Sequence, residues 1–383
     1  MNRKNVLIIG MLDSVHAVRW LSQFTDQEIN FYIFPSKKHK SVHPDLIKLT
    51  KSKFSASYRI ADFKCFLRLH GYLDYFFYLV LPRFLKLDIR GRLLERVLRK
   101  VHFQYVHALE IQGAGYLIDE VKRKQGLDIP TILTNWGSDI YFFQEFPDHN
   151  ARIRSALKSS THYSAECTRD YDLARQLGFS GIELPCIPNA GGFRLRDAGS
   201  IAKTSTRSHI VAKAYGGQFG RGDLIIDALG ETLEKFPQTE VFLYSVTDDL
   251  VEKVESLKSS FPKRVKYSSR RNKTSREELM RRFRISRVYV GASRSDGIST
   301  SFLEALTMGC YPIQTDTSCA SEWTKLGAIA SVVPLDSKII AQEIEKALKD
   351  HSKVDLAQQA NLKVAEEYLS FEIVRAKALT FYS

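Results

Sequence analysis

Short, nearly continuous apolar runs alternate along this chain with longer stretches of helical periodicity. Val6-Leu7-Ile8-Ile9-Gly10 and residues 29–34 read as buried strands, with residues 15–24 as the helix between them. Strand, helix and strand follow again at 105–109, 115–124 and 131–134. The second half repeats the pattern, with strands at 208–213, 241–245, 265–267, 288–291 and 311–314. Its helices fall at 224–236, 250–259, 276–283 and 301–308. Such alternation predicts parallel sheets covered by helices on both faces. Residues 191–206, rich in Gly, Ser, Thr and charge, read as a linker. The predicted architecture is therefore α/β: two Rossmann-like, doubly wound domains, 1–190 and 207–363, facing each other across a cleft. Ligands in such sheets bind at the carboxyl ends of the strands.

Composition narrows this only a little. A chain of 383 residues with 44% hydrophobic and 26% charged content suits two soluble cores. The apolar run at 6–10 is too brief for a signal peptide, and no run reaches the length of a membrane span. Five cysteines without CxxC spacing fit a reducing cytosol, not a disulfide framework or zinc site. The net charge of +13 is concentrated in two blocks. Residues 51–100 hold 12 Lys/Arg against 4 Asp/Glu, and 251–300 hold 14 against 5. Either block could attract nucleic acid, an anionic membrane or a nucleotide-linked substrate, and composition does not choose.

The motifs do more. Asp296-Gly297-Ile298-Ser299-Thr300-Ser301 follows a predicted strand and opens a helix that carries Glu304. A helix begun this way offers free N–H groups and its positive dipole end to a phosphate, and Glu304 could accept from a ribose or sugar hydroxyl. Ser301 and Glu304 also spell a capping box, which would serve stability alone. Lys213 and Arg221 flank the glycine-rich loop Ala214-Tyr215-Gly216-Gly217-Gln218-Phe219-Gly220, where two cations could clamp a diphosphate. Gly10 ends the first strand and leads to a helix on which His16 and Arg19 share a face. Asn135-Trp136-Gly137-Ser138-Asp139 follows another strand, and His107 and Glu110 follow a third. Asp248-Asp249 opens a helix, where capping and dipole compensation account for it without a metal.

The segment Asp296 to Glu304, with Met308-Gly309-Cys310-Tyr311-Pro312-Ile313 and Ser321-Glu322-Trp323 after it, resembles the acidic-x7-Glu signature of retaining glycosyltransferases of family four. That family has the GT-B fold, and its signature usually opens with Glu where this chain has Asp296. The resemblance implies a metal-independent enzyme, with no cofactor, that moves a sugar from a nucleotide diphosphate sugar to a glycan acceptor. Surface polysaccharide or lipid-linked oligosaccharide synthesis is the implied setting. It further implies that Lys213, Arg221 and the amides around Ser299, Thr300 and Ser301 hold the diphosphate, although the family usually places Arg first and Lys second. Asp296 would orient the donor sugar and Glu304 the ribose, with residues 268–272 near the base. His16 and Gly10 match the family's first loop over the cleft. Arg19, His107, Glu110, Trp136 and Asp139 are weaker acceptor-side candidates, Trp136 standing where the family has His. The last helix, around 364–378, would cross back onto the first domain.

Residues 63–87 mix aromatics with Lys and Arg and read either as a buried helix pair or as a peripheral contact with the inner face of a membrane. Three rivals stand beside this reading: a GT-B-type sugar-nucleotide epimerase, a nucleic-acid-binding protein and a non-catalytic partner protein. Nucleic acid is disfavoured, since no zinc-finger spacing or glycine–aromatic RNA motif is present.

Overall fold

The computed structural model describes residues 3–38, 41–61, 89–189, 191–195 and 201–383. The basic aromatic segment 63–87 and residues 196–200 of the expected linker lie outside the described residues. The chain forms two compact units: Met1–Gly191 together with Arg375–Ser383, and Gly192–Val374.

The first unit is a seven-stranded sheet, with β1 (Lys4–Gly10), β2 (Ile29–Pro35), β3 (Ser57–Ile60), β4 (Tyr105–Ala108), β5 (Thr131–Thr134), β6 (His162–Ser164) and β7 (Ile182–Glu183). The order is β3-β2-β1-β4-β5-β6-β7 and every pairing is parallel. Val6, Leu7, Ile8 and Ile9 are fully buried because helices cover both faces of β1, which is why this strand shows no polar alternation. The second unit has six strands, β8 (His209–Lys213), β9 (Glu240–Val246), β10 (Val265–Ser269), β11 (Ser286–Gly291), β12 (Tyr311–Thr315) and β13 (Ser331–Val333). They run β10-β9-β8-β11-β12-β13, again all parallel. In both sheets the order reverses beside the first strand, the position where doubly wound sheets open a ligand crevice.

One expectation about the last helices changes. The stretch 364–378 is not one helix: His351–Leu369 ends, Ser370 bridges Phe193, and Phe371–Leu379 begins afresh. The final nine residues belong to the first unit. There the Tyr382 hydroxyl accepts from Trp20 Nε1 at 2.9 Å and lies 2.7 Å from His107 Nδ1, while its carbonyl accepts from Lys4 Nζ at 2.8 Å. Phe381 and Tyr382 are each 2% exposed, so this terminus is part of a hydrophobic core and not a tail. No helix among the described residues is long and apolar enough to cross a membrane.

Candidate functional site

In the second unit, two loops leave the carboxyl ends of the neighbouring strands β8 and β11 and are stitched together. The Arg221 N–H donates to the Ala292 carbonyl at 3.1 Å and the Arg294 N–H to the Phe219 carbonyl at 2.7 Å. Gly220 and Ser293 add an antiparallel bridge. The glycines of the first loop are needed for close approach. A Cβ at Gly220 would sit 2.1 Å from the Tyr215 carbonyl oxygen, and one at Gly222 2.7 Å from the Ala214 carbonyl carbon. The loop's own amides are largely used internally. Gly216 donates to Thr247 Oγ1 at 2.8 Å, Gly217 to Asp249 Oδ2 at 3.1 Å, and Gly222 to the Tyr215 carbonyl at 2.9 Å.

Those contacts revise the account of Asp248 and Asp249. They open a short 3-10 turn, Asp248–Leu250, that runs straight into the helix Val251–Ser260, and no side chain caps the turn. Asp249 braces the glycine loop, and the Thr247 hydroxyl bound to it holds its carboxyl below the usual range. Asp248 pairs with Arg271 at 2.6 Å.

The signature helix is Thr300–Thr307, with Ser299 as N-cap residue. The capping box does not form. Ser299 makes no side-chain cap, Ser301 lies inside the first turn, and the Glu304 carboxylate accepts instead from Arg276 Nη1 at 2.6 Å. First-turn N–H groups left without a capping side chain suit an anion. Ser299, Ser301 and Glu304 are buried, whereas Thr300 and Asp296 are half-buried. Asp296 is fixed by its own loop: its N–H donates to the Thr317 carbonyl at 3.2 Å and its Oδ1 accepts from Gly297 N–H at 2.9 Å.

The two expected cations differ in circumstance. Lys213, half-buried at the end of β8, places Nζ 4.8 Å from the Tyr215 ring centroid. Arg221 is committed to Asp223: Nε lies 2.9 and 3.2 Å from the two carboxylate oxygens and Nη2 2.7 Å from one of them. That pair holds the Asp223 carboxyl low and the Arg221 guanidinium high. Beyond β9 and β10 lies a cavity of about 430 Å³ lined by Tyr244, Ser245, Ser269, Arg270, Lys273 and Leu279, among others. Ser245 adopts φ 59° there, a conformation L-residues rarely take. In the basic run that follows, Arg281 and Arg284 face solvent, but Arg282 is half-buried and packs 4.8 Å from the Phe242 ring.

In the first unit, the structure brings together His16, on helix Val15–Ser22, and Trp136, after β5. Their rings meet edge to face with centroids 5.7 Å apart. The helix is capped by Ser14, whose Oγ accepts from His16 N–H at 3.2 Å, and Arg19 is half-buried one turn on. Gly10 is buried, and a Cβ there would press on Leu109 at 3.4 Å.

Three weaker candidates are engaged by contacts within the first unit. His107 is completely buried, with Nε2 2.6 Å from Thr134 Oγ1 and Nδ1 on Tyr382, and burial pulls it down to about 3. Glu110 sits at φ 147° and caps the π turn Ile111–Gly115, accepting from Gly113 N–H at 2.6 Å and Ala114 N–H at 2.7 Å. Asp139 Oδ2 accepts from the N–H groups of Ile111 at 2.8 Å and Trp136 at 3.0 Å, so it ties that turn to the Trp136 loop. Burial, then the charge of Glu110, raises the Asp139 carboxyl well above its usual value.

Sequence reasoning missed Arg276, Asp223 and Tyr382, and read Asp249 only as a helix-opening residue. Asp223 two residues beyond Arg221 was a local signal. The other three act across sequence separations of 28 residues for Arg276–Glu304, 32 for Gly217–Asp249 and 275 for His107–Tyr382, which no local pattern encodes.

Residues 223–363 match the family model described as glycosyl transferases group 1. No curated protein sequence matches the chain. Among solved structures, the chain is similar to HepE from Anabaena in complex with UDP and glucose, at 12% identity and TM-score 0.68 over 99% of each chain. It is also similar to sucrose-phosphate synthase from Thermosynechococcus elongatus, at 13% identity and TM-score 0.66 over 99% of this chain and 98% of that one. A third is the α,α-trehalose 6-phosphate synthase from Burkholderia multivorans, at 11% identity and TM-score 0.69 over 99% and 96%. With two all-parallel α/β sheets and these structural likenesses, the chain has the GT-B fold, and its residues 223–363 match the group 1 glycosyl transferase model.

Proposed function

We propose that this protein is a retaining, metal-independent glycosyltransferase that takes a sugar from a nucleotide diphosphate sugar and delivers it to a glycan acceptor. The observation that carries the reading is the convergence, at the strand-order reversal of the second sheet, of Lys213, the uncapped helix Thr300–Thr307 and the buried Glu304. Sugar transfer from a diphosphate leaves negative charge on the departing oxygens, and fixed cations and amides aimed there lower the barrier most. Lys213 and the first-turn amides do this work, which a divalent ion would otherwise perform. Glu304 receives the ribose hydroxyls, and Asp296 orients the donor sugar at the mouth of the same loop. The acceptor's proton passes to the departing phosphate oxygen on the donor's own face, which keeps the anomeric configuration.

HepE, solved with UDP and glucose, supports a uridine diphosphate sugar as the first donor class to try. On the first unit, His16 and Trp136 form an aromatic corner suited to a sugar ring. The acceptor is a polysaccharide or lipid-linked oligosaccharide, and the protein works in the cytoplasm or at the inner face of a membrane.

The test is donor hydrolysis without acceptor, in the presence of a chelator, followed by proton NMR of the first-formed free sugar. The α anomer from an α-linked donor is expected. Release of the β anomer, or turnover only on adding a divalent ion, would contradict retention or metal independence respectively.

A further inference from the structure

We propose that Arg270, at the end of β10, is the second cation of the donor-phosphate site beside Lys213, in the place the family pattern gives to Arg221. The inference rests on the nucleotide-sugar reading above and deepens it.

Arg221 is poorly placed to serve. Two of its nitrogens already grip the Asp223 carboxylate, only two residues away, at 2.7 to 3.2 Å. A guanidinium held in such a fork gives up charge-assisted hydrogen bonds before it can reach a phosphate. Its N–H on Ala292 and the start of helix Gly222–Lys235 account for its position in the loop.

Arg270 and Lys213 present the opposite picture. Neither has a carboxylate partner within ion-pair distance among the described residues, and both lie against one ring. Lys213 Nζ is 4.8 Å and the Arg270 guanidinium carbon 5.8 Å from the centroid of Tyr215. Arg270 is held at this spot by its own backbone, whose N–H donates to the Val246 carbonyl at 2.8 Å. Its side chain also lines the cavity beyond β9 and β10. Both cations bear on one aromatic ring, and an anion bound beside it would be attracted by each, in competition with the Asp249 carboxylate, which also feels the Arg270 charge. The ring belongs to the glycine loop, whose backbone is stitched to residues 292–294, just ahead of the acidic signature. A diphosphate meets this geometry with charge on both phosphates, and the guanidinium offers it a planar fork.

The test uses the full chain, with calorimetric titration of UDP and of inorganic pyrophosphate into the unaltered protein, Arg270→Ala, Arg270→Lys and Arg221→Ala. Pyrophosphate carries no base or ribose, so it isolates the phosphate contact. Arg270→Ala should weaken both ligands by about tenfold or more, the scale of a lost charged hydrogen bond, with Arg270→Lys between. Arg221→Ala should weaken them by less than about threefold, as for a partly exposed ion pair. Loss of UDP affinity with pyrophosphate unchanged in Arg270→Ala would overturn the proposal, because Arg270 would then read the nucleoside. Loss confined to Arg221→Ala would overturn it too. If the unaltered chain binds pyrophosphate but none of UDP, GDP and ADP, the anion site stands and the nucleotide reading falls. If it binds neither, both fall.

Discussion

Glu304 shows how a residue's role is decided by its surroundings. Its carboxylate is nearly buried and its partner is Arg276, whose side chain is half exposed. A buried carboxylate needs such a partner, because ionisation without one is strongly disfavoured. Glu304→Gln keeps the shape and can still accept from Arg276, so the melting temperature should move little while nucleotide affinity falls. A large drop in melting temperature with unchanged nucleotide binding would return Glu304 to a structural role. Lys213→Ala should slow transfer by ~10²-fold, the scale for a lost transition-state donor, and unchanged turnover would remove it from the site. His107 makes a pH prediction. Its folded value near 3 lies below the unfolded value near 6.5, so the unfolded chain binds the extra proton between them. Stability therefore falls as pH drops from about 6.5 towards 3, by about 1.4 kcal/mol per pH unit from this group. Urea titrations of His107→Gln should show a shallower acid slope, and an unchanged slope would contradict the buried neutral imidazole.

At the scale of elements, the glycine loop is the sharpest test. Gly220→Ala sets a Cβ against a backbone oxygen, so the loop must open. A loss of about 1–3 kcal/mol is expected, together with weaker nucleotide binding, because the same loop is stitched to the Asp296 loop. Full stability in thermal melts would show that the loop is more pliant than its contacts suggest. This scale also shows what could be read from sequence. Apolar runs such as Val6–Ile9 and Val288–Gly291 are rich in β-branched residues and uniformly buried, so their strands and the helices between them stand out. The short edge strands Ser57–Ile60 and Ile182–Glu183 do not, since Ile182 and Glu183 are exposed and carry no apolar pattern. The capping-box spelling at Ser301 and Glu304 misled because the helix starts at Thr300, two residues too early for Ser301 to be the cap. The strand–loop–helix positions of Asp296, Lys213 and the helix N-terminus were legible from local order, while their assignment to a donor site came from the family resemblance. The commitment of Arg221 to Asp223 and of Glu304 to Arg276 depended on side-chain geometry that spacing does not give.

At the scale of the whole molecule, much of the second basic block is absorbed in pairs, Arg271 on Asp248, Arg276 on Glu304, and Arg281 and Arg282 on Glu278. Those pairs leave less free positive charge on this block than its composition suggests. The first unit is completed by the chain's last nine residues, whose Phe381 and Tyr382 fill its core. Truncation before Arg375 should cost the first unit several kcal/mol, as for lost buried aromatics, and hydrogen exchange should show lost protection around Trp20 and His107. Protection unchanged there would contradict the packing. The most direct test of the central claim is calorimetric titration of UDP, GDP and ADP into the unaltered chain and Lys213→Ala, without added metal. Selective micromolar binding of one nucleotide, lost in Lys213→Ala, is the predicted result. Binding of none, or binding indifferent to Lys213, would contradict a nucleotide diphosphate site at the ends of β8 and β11.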